Sequence, residues 1–512
     1  MTEVKVELSE RHRGACIQFQ ELRFSLKNSP RSLFREPGRM FPSVIVLLTL
    51  FSCTHGENPA IQLTLTNKGL QYGKHMGAGW IQEKLENVTF PDISGKVLGI
   101  SYTLTGMSVQ KCDFPEPTVE FTANVTGLKA SISGLNIALS GWWRTRLGII
   151  HDGGSLNMAV FNVDVTHEVE LGKDPDGRLS VSTVDCAASV GDVNMDFSGG
   201  ASWIFRSFVR YYKSHVKDEI QRNICPGVQA HMKELESHLQ AMNVSLDVDE
   251  ILSFNFSLTG EPVSDGSSVN MGFKGEFTNF HTHEDPPFDA QPFTMSKQPG
   301  YMLTIGLSEY TLNSASYGFY TDGLLQTLIN DSMIPKFSPV RLNTTSMGEF
   351  IPQLPKLYPD LLMTLQVYAT QAPVFSLQAG VGKLGVLAAV KTSAIAKNGT
   401  KIPLFNLNLG LKFSGKMWTS GGNLKGSMMM DNLTLSLAST EVGKFETVAL
   451  ENLMKQGMKM VVLPSLNAKL GKGIMLPRMK KAKLVNSVLK MEKGFVEISS
   501  DAQVYLKDGL FD

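Results

Sequence analysis

Along this chain the spacing of apolar residues changes in an order that repeats. IQLTL, residues 61–65, alternates apolar and polar positions and predicts a half-buried strand. From about Asn67 the spacing lengthens, and Leu70, Met76, Trp80, Ile81 and Leu85 supply the apolar face of a predicted helix. Two long alternating runs follow, VEFTANVTGLKASISGLNIALSGWW (119–143) and GSLNMAVFNVDVTHEVEL (154–171). A period of two held over that length argues for antiparallel sheet with one face on a core. Helical spacing returns from about Ala201 to Met242, with an interruption expected at Pro226. More strands close this half.

The second half runs through the same order. YMLTIGLSEYTLNSASYGFYTDGLLQTLIND (301–331) reads as strand then helix, and FNLNLGLKFSGKMW (405–418) and GNLKGSMMMDNLTLSL (422–437) read as alternating strands. VGKFETVALENLMKQGMKMVV (442–462) predicts a long helix stopped at Pro464, with strands after it. Between the halves lies HTHEDPPFDAQPF (281–293), whose three prolines fit neither a helix interior nor a central strand. The expected organisation is an N-terminal domain over 57–280, a proline-rich linker over 281–300 and a C-terminal domain over 301–512. Both domains are expected to be α+β and of similar plan.

The residues ahead of this pattern are of another kind. Residues 1–39 carry eight Lys or Arg and five Glu with no sustained apolar period, and are set apart as a non-native or disordered upstream extension. MFPSVIVLLTLFSCTHG (40–56) has the layout of a secretory signal peptide: the apolar run Val44–Phe51, then Thr54 and Gly56 at a small-residue cleavage site. It is too short to span a membrane, which takes about 20 apolar residues. The mature, secreted chain is expected to begin near Glu57. Eight Asn-X-Ser/Thr sequons, at Asn87, Asn124, Asn243, Asn255, Asn330, Asn343, Asn398 and Asn432, agree with secretion and mark expected glycosylation sites.

Cysteine count and charge narrow the chemistry. Cys112, Cys186 and Cys225 remain in the mature chain, so one disulfide and one left-over thiol are expected. His281, His283, Glu284 and Asp285 are ligand types, but in a proline-rich loop they read as solvated linker, and no CxxC or HxxxH spacing suggests zinc. Residues 57–280 hold 17 Lys and Arg against 26 Asp and Glu, while 281–512 hold 23 against 17. Neither balance suits nucleic-acid binding. No GxSxG, P-loop, strand-linked GxGxxG or HExxH occurs, so no enzyme, metal or organic cofactor is expected.

NPAIQLTLTNKGLQYG, DPPFDAQPF, GLSEYTLNSASYGFY with MIP at 333–335, and VLPSLNAKLGKGIMLP resemble the lipopolysaccharide-binding protein and bactericidal permeability-increasing protein family, with its fish members nearest in pattern. The resemblance covers about 57–505. It implies an elongated two-domain boomerang, each domain a twisted antiparallel β-barrel packed with a long helix, joined by a central sheet. It also implies a phospholipid in an apolar pocket under each long helix, and a Cys186–Cys225 disulfide that leaves Cys112 outside the bridge.

The family's function, carried over, is capture of bacterial lipopolysaccharide and contact with the bacterial outer membrane in innate defence, with handover to a host receptor as a further expectation. Phosphates of lipid A require cations at a barrel tip. The matching stretch here is LSGWWRTRLG, where Trp142 replaces a typical lysine and Arg144 and Arg146 keep part of the charge. Trp142 and Trp143 suit a membrane interface, and Lys96, Lys129, Lys173 and Arg178 are the other tip candidates. Arg206, Arg210, Lys213 and Lys217 form a basic helical stripe that reads as a solvated face. The acidic N-terminal half departs from the strongly basic domain of bacteria-killing members. Plasma phospholipid transfer without lipopolysaccharide specificity is the alternative on the same fold.

Overall fold

The computed structural model describes residues 57–504, apart from 87–88, 98, 123–125, 201, 337 and 476–481. The expected extension and signal peptide, and the sequons Asn87 and Asn124, lie outside the described residues.

A six-stranded central sheet joins the two halves. Its order is Val263–Ser264, Ser268–Phe273, Ile61–Thr66, Leu303–Ser308, Phe495–Val504 and Ala482–Glu492. The first three strands come from the N-terminal half and the last three from the C-terminal half. At the seam Ile61 faces Leu307, Leu63 faces Ile305 and Leu65 faces Leu303, antiparallel. Each seam strand leads directly into a helix, Asn67–Glu86 and Glu309–Thr321. A hydroxyl starts each one: Ser308 Oγ accepts from the Tyr310 N–H at 3.0 Å, and Thr66 Oγ1 from the Gly69 N–H at 3.4 Å. The repeat read from the alternation is thus built from equivalent strand–cap–helix units. In the first helix Leu70 is buried but Ile81 is exposed, unlike the expected apolar face.

The N-terminal sheet is antiparallel, in the order Thr89–Phe90, Ile100–Asp113, Gly127–Leu147, Ile150–Lys173, Leu179–Ser198, with Ile93–Val97 and Thr118–Thr122 as side strands. Its inner face presents Leu104, Trp143, Leu156 and Val193 to Tyr212 and Val216 of the long helix Ser202–Gln240. The helix runs back along the last strand: Lys213 reaches Asp192, Cys225 is bonded to Cys186, and Glu236 accepts from the Val181 N–H. It passes through Pro226 without the expected interruption. Pro226 and Arg222 are exposed, so the carbonyl that loses its helical donor is left to solvent, and the disulfide pins the adjacent residue.

The C-terminal sheet repeats the plan, in the order Gln326–Asn330, Leu362–Ala369, Val381–Ile395, Lys401–Ser420, Asn423–Thr440, Ile474–Met475, with Val374–Gln378 beside Val381–Ile395. Leu404, Leu407, Leu433, Leu435 and Met363 form its core with Leu450 of the covering helix. That helix does not stop at Pro464. Val448–Gly457 passes into a π-helical turn, Met458–Val462, and continues as Leu463–Lys472. Pro464 has no N–H for the carbonyl four residues back, and the widened turn absorbs the missing bond.

The proline-rich segment carries no regular structure, as expected, yet it is fastened to the central sheet. Asn58 and Gln62 donate side-chain hydrogen bonds to the carbonyls of Ala290 and Phe293. Phe293 stacks on Phe495 with centroids 4.6 Å apart. Gly306 makes room for it, since a Cβ there would lie 2.5 Å from the Phe293 ring. Beside them the buried carboxylate of Glu497 accepts from the Ser296 N–H at 2.9 Å, the Ser296 hydroxyl at 2.7 Å and the Gln298 amide at 3.3 Å. His281 pairs with Asp322 at 2.6 Å.

Candidate functional site

Two hairpins end at the same rim of the N-terminal sheet. One joins Ile93–Val97 to Ile100–Asp113, and the other joins Gly127–Leu147 to Ile150–Lys173. The register sets one row across four strands: Lys96 opposite Ser101, Ser101 opposite Arg146, and Arg146 opposite His151. Residues directly opposite share a face, and residues two apart on a strand share it too. Lys96, Arg146, His151, Arg144 and Trp142 therefore present on one face, and all are exposed. Strand spacing of about 4.8 Å puts Lys96 roughly 10 Å from Arg146 across the row, and Arg144 lies about 7 Å along the strand. Arg146 Nε donates to the Gly148 carbonyl at 3.2 Å, holding its chain at the turn. Gly148 supplies the positive φ of 58° that this turn requires. Beside it Ile149 is 95% exposed, and Trp142 is 61% exposed.

Trp143 departs from the expectation for the pair. It points inward, is 1% exposed, meets Phe197 edge-on at 5.9 Å and donates from Nε1 to the Ser198 carbonyl at 3.2 Å. Neighbours on a strand face opposite ways, so only Trp142 can serve the outer surface. Gly154, across from Trp143, keeps the ring's place open, because a Cβ there would sit 2.9 Å from Nε1. Below lies an apolar slot of about 10 Å³ between sheet and helix, lined by Leu104, Trp143, Met195, Phe197, Tyr212 and Val216 among others. The Tyr102 hydroxyl hydrogen-bonds His215 Nδ1 at 2.6 Å and ties helix to rim. Burial, with Tyr212 and Glu219 nearby, pushes that phenol up to about 12, so it stays protonated at neutral pH.

Lys129, Lys173 and Arg178 are not at this rim. Lys129 lies near the opposite end of the strand that carries Arg146, between Glu120 and Glu168 on the neighbouring strands. Lys173 Nζ donates to the Thr259 carbonyl at 3.4 Å, and its N–H to Glu261. Arg178 is held by Asp174 and Asp176 and donates to the Met242 carbonyl at 2.8 Å. Of the helical stripe, Lys213 pairs with Asp192 and Lys217 donates to the Gly191 carbonyl, so both fasten the helix to the sheet; the side chains of Arg206 and Arg210 lie outside the described residues. His151 and Ile149 were not among the sequence candidates. Register could have found His151, since a turn centred on Gly148 and Ile149 places it opposite Arg146.

Cys186 and Cys225 are bonded, with Cα atoms 5.8 Å apart, and Cys112 is a buried thiol outside that bridge. Of the described sequons, Asn243, Asn330, Asn398 and Asn432 are exposed. Asn255 and Asn343 are half-buried, with side-chain oxygens accepting from Ser257 and Ser346. Among the described residues no group of three or more His, Cys, Asp or Glu is placed to hold a metal, and no helix is long and apolar enough to cross a membrane.

Comparison with known proteins places this architecture. Residues 69–242 match the N-terminal domain of the LBP / BPI / CETP family, and residues 246–504 match its C-terminal domain. A bactericidal permeability-increasing protein of Sebastes schlegelii is 35% identical over 465 residues, covering 90% of this chain and 98% of that one. The human lipopolysaccharide-binding protein is 26% identical over 475 residues, with 91% and 98% covered. In fold, the crystal structure of a lipopolysaccharide binding protein superposes with a TM-score of 0.54 at 24% identity, over 87% of this chain and 99% of that one. With both halves matched in order, the chain belongs to the LBP / BPI / CETP family.

Proposed function

We propose that this protein captures bacterial lipopolysaccharide at the rim of its N-terminal sheet, as a secreted protein of innate defence. The observation that carries the reading is the row Lys96, Ser101, Arg146, His151 across four strands, with Arg144 and Trp142 next along the same face. Cations spaced by a rigid sheet suit the phosphates of lipid A, and each contact gains from charge-assisted hydrogen bonding. Trp142 and Ile149 supply exposed apolar groups that would enter the acyl boundary of an outer membrane. Relatives named for lipopolysaccharide binding and for bactericidal action support the same ligand. Lys129, Lys173 and Arg178 have no part in this site.

Phospholipid is the second ligand we propose, one molecule under each long helix. The N-terminal slot of about 10 Å³ is far below the roughly 300 Å³ of ordinary ligand pockets, so an acyl chain would enter only as the helix moves out. The Tyr102–His215 bond is the contact that must give way. Ligand capture of this kind needs no catalytic step. We further assign the signal peptide to 40–56, domains to 57–280 and 301–512 about the linker 281–300, glycans to the exposed sequons, and a host receptor as the destination of bound lipopolysaccharide.

Arg144→Ala combined with Arg146→Ala tests the rim. Two exposed phosphate contacts at about 1 kcal/mol or somewhat more each predict a 10- to 100-fold loss of lipopolysaccharide affinity, with Tm little changed. Neutral phospholipid retention should persist. Unchanged lipopolysaccharide affinity in the folded double variant would remove the rim from the mechanism and favour phospholipid transfer.

A further inference from the structure

The helix covering the C-terminal sheet carries a defect in its register. Leu450, Met454 and Met458 face the core at intervals of four, and a regular helix would turn Val461 or Val462 inward next. The π-helical turn inserts one residue instead, and Leu463 takes the buried place. Met460, Val461 and Val462 are left 62%, 39% and 46% exposed, beside exposed Lys459 and Pro464. Pro464 enforces this, since it cannot donate to the Met460 carbonyl. Consecutive large apolar side chains turned to water on a helix that could have buried one of them mark an interaction surface.

The charge around the turn says what it meets. From Asn452 to Gly473 the helix sequence holds Lys455, Lys459, Lys469 and Lys472, and not one Asp or Glu. Lys455 is paired with Glu451 at 2.6 Å, whereas Lys459, Lys469 and Lys472 make no ion pair among the described residues, and all three are exposed. Asn467 anchors the helix to the sheet through both its amide groups, at 2.7 and 2.9 Å from the Met428 backbone, so the outer side is presented rigidly. Met460, Val461 and Val462, flanked by exposed Lys459, Lys469 and Lys472, complement an anionic lipid surface, with the apolar side chains entering the acyl boundary and the ammonium groups at the phosphates.

We infer that the π-helical turn of the C-terminal helix is a second membrane contact, specific for anionic phospholipid bilayers and independent of the lipopolysaccharide reading of the rim. It would let the protein rest on a phospholipid membrane by one half while the other half holds its ligand.

Co-sedimentation of the full secreted chain with phosphatidylcholine vesicles, with and without phosphatidylserine, tests it. Binding is expected only with phosphatidylserine, and should fall as salt rises. Lys459→Gln, Lys469→Gln and Lys472→Gln together should weaken it by on the order of 100-fold, from about fivefold per lysine. Val461→Asp with Val462→Asp should weaken it as strongly in the Arg144→Ala, Arg146→Ala background as in the wild-type chain. Equal binding to neutral vesicles, an unaffected lysine variant, or a valine effect that disappears in the rim background would each overturn the proposal. So would a wild-type dimer that the Val461→Asp, Val462→Asp variant converts to monomer, which would make a second copy of the chain the occupant.

Discussion

Glu497 is the residue on which the attachment of the proline-rich segment depends most. Its carboxylate is 2% exposed and receives three hydrogen bonds, from the Ser296 N–H, the Ser296 hydroxyl and the Gln298 amide. Glu497→Ala leaves all three donors without that acceptor. Each hydrogen bond to a charged group is worth about 1.5–3 kcal/mol, but the hydroxyl and the Gln298 amide can turn to solvent, and removing a buried charge returns part of its desolvation cost. We expect a net loss of about 3 kcal/mol, which at roughly 2–4 °C per kcal/mol for a domain of this size lowers Tm by about 6–12 °C. Glu497→Gln is the informative companion. Its carbonyl can still take the Ser296 N–H, and its amide can donate to the Ser296 hydroxyl, leaving only the Gln298 contact and the charge lost. A fall of about 1 kcal/mol, or roughly 2–4 °C, is expected. Calorimetry of the three proteins, with limited proteolysis across 281–300, measures both consequences. If Gln proved as damaging as Ala, or if neither moved Tm, the hydrogen bonds would not be what holds the segment.

Removing the Cys186–Cys225 bridge by Ala substitution opens a 39-residue separation, worth about 4 kcal/mol in the chain-entropy treatment, and a clear drop in urea midpoint should follow. Trp143→Ala should cost about 3–5 kcal/mol through the cavity it leaves, whereas Trp142→Ala should barely change the melting curve yet weaken lipopolysaccharide binding. Asp265 is held below the usual carboxylate range, chiefly by the Lys297 hydrogen bond and then by the hydroxyl and N–H of Ser267. Its contribution is therefore complete above the ordinary carboxylate pKa and is lost as pH falls through the lowered folded value. Asp265→Asn should be the less stable protein at neutral pH and converge on wild type in strong acid; parallel Tm–pH curves would refute that.

How far the sequence could be read depended on the range of the interaction involved. Alternation gave the antiparallel strands and the repeated strand–helix order, because those patterns are local. Trp142 and Trp143 show where a local rule went unused: adjacent residues on a strand must part company, so one of the pair had to be core. Lys129, Lys173 and Arg178 looked equivalent to Lys96 in the sequence. Only the pairing of strands separates them, putting Lys96 in the row of Arg146 and the others near acids and carbonyls elsewhere. Both prolines predict a break in their helices, and both helices continue. At Pro226 and Pro464 the cost of a missing N–H was real, but solvent exposure at one and a widened turn at the other absorbed it. The disulfide followed from family resemblance, since three thiols alone leave the pairing open.

The seam between Ile61–Thr66 and Leu303–Ser308 also constrains the order of events during synthesis. The first of the described strands to emerge, Ile61–Thr66, has its seam partner about 240 residues later. At translation rates of roughly 5–20 residues per second, it waits on the order of 12–50 s before that edge is covered. Ser268–Phe273, its other neighbour, arrives only slightly sooner. The N-terminal sheet, whose strands follow one another by short turns, can close in the meantime. The centre of the molecule is thus completed last, and an alternating apolar strand stays available to the wrong partner for nearly the whole of that interval.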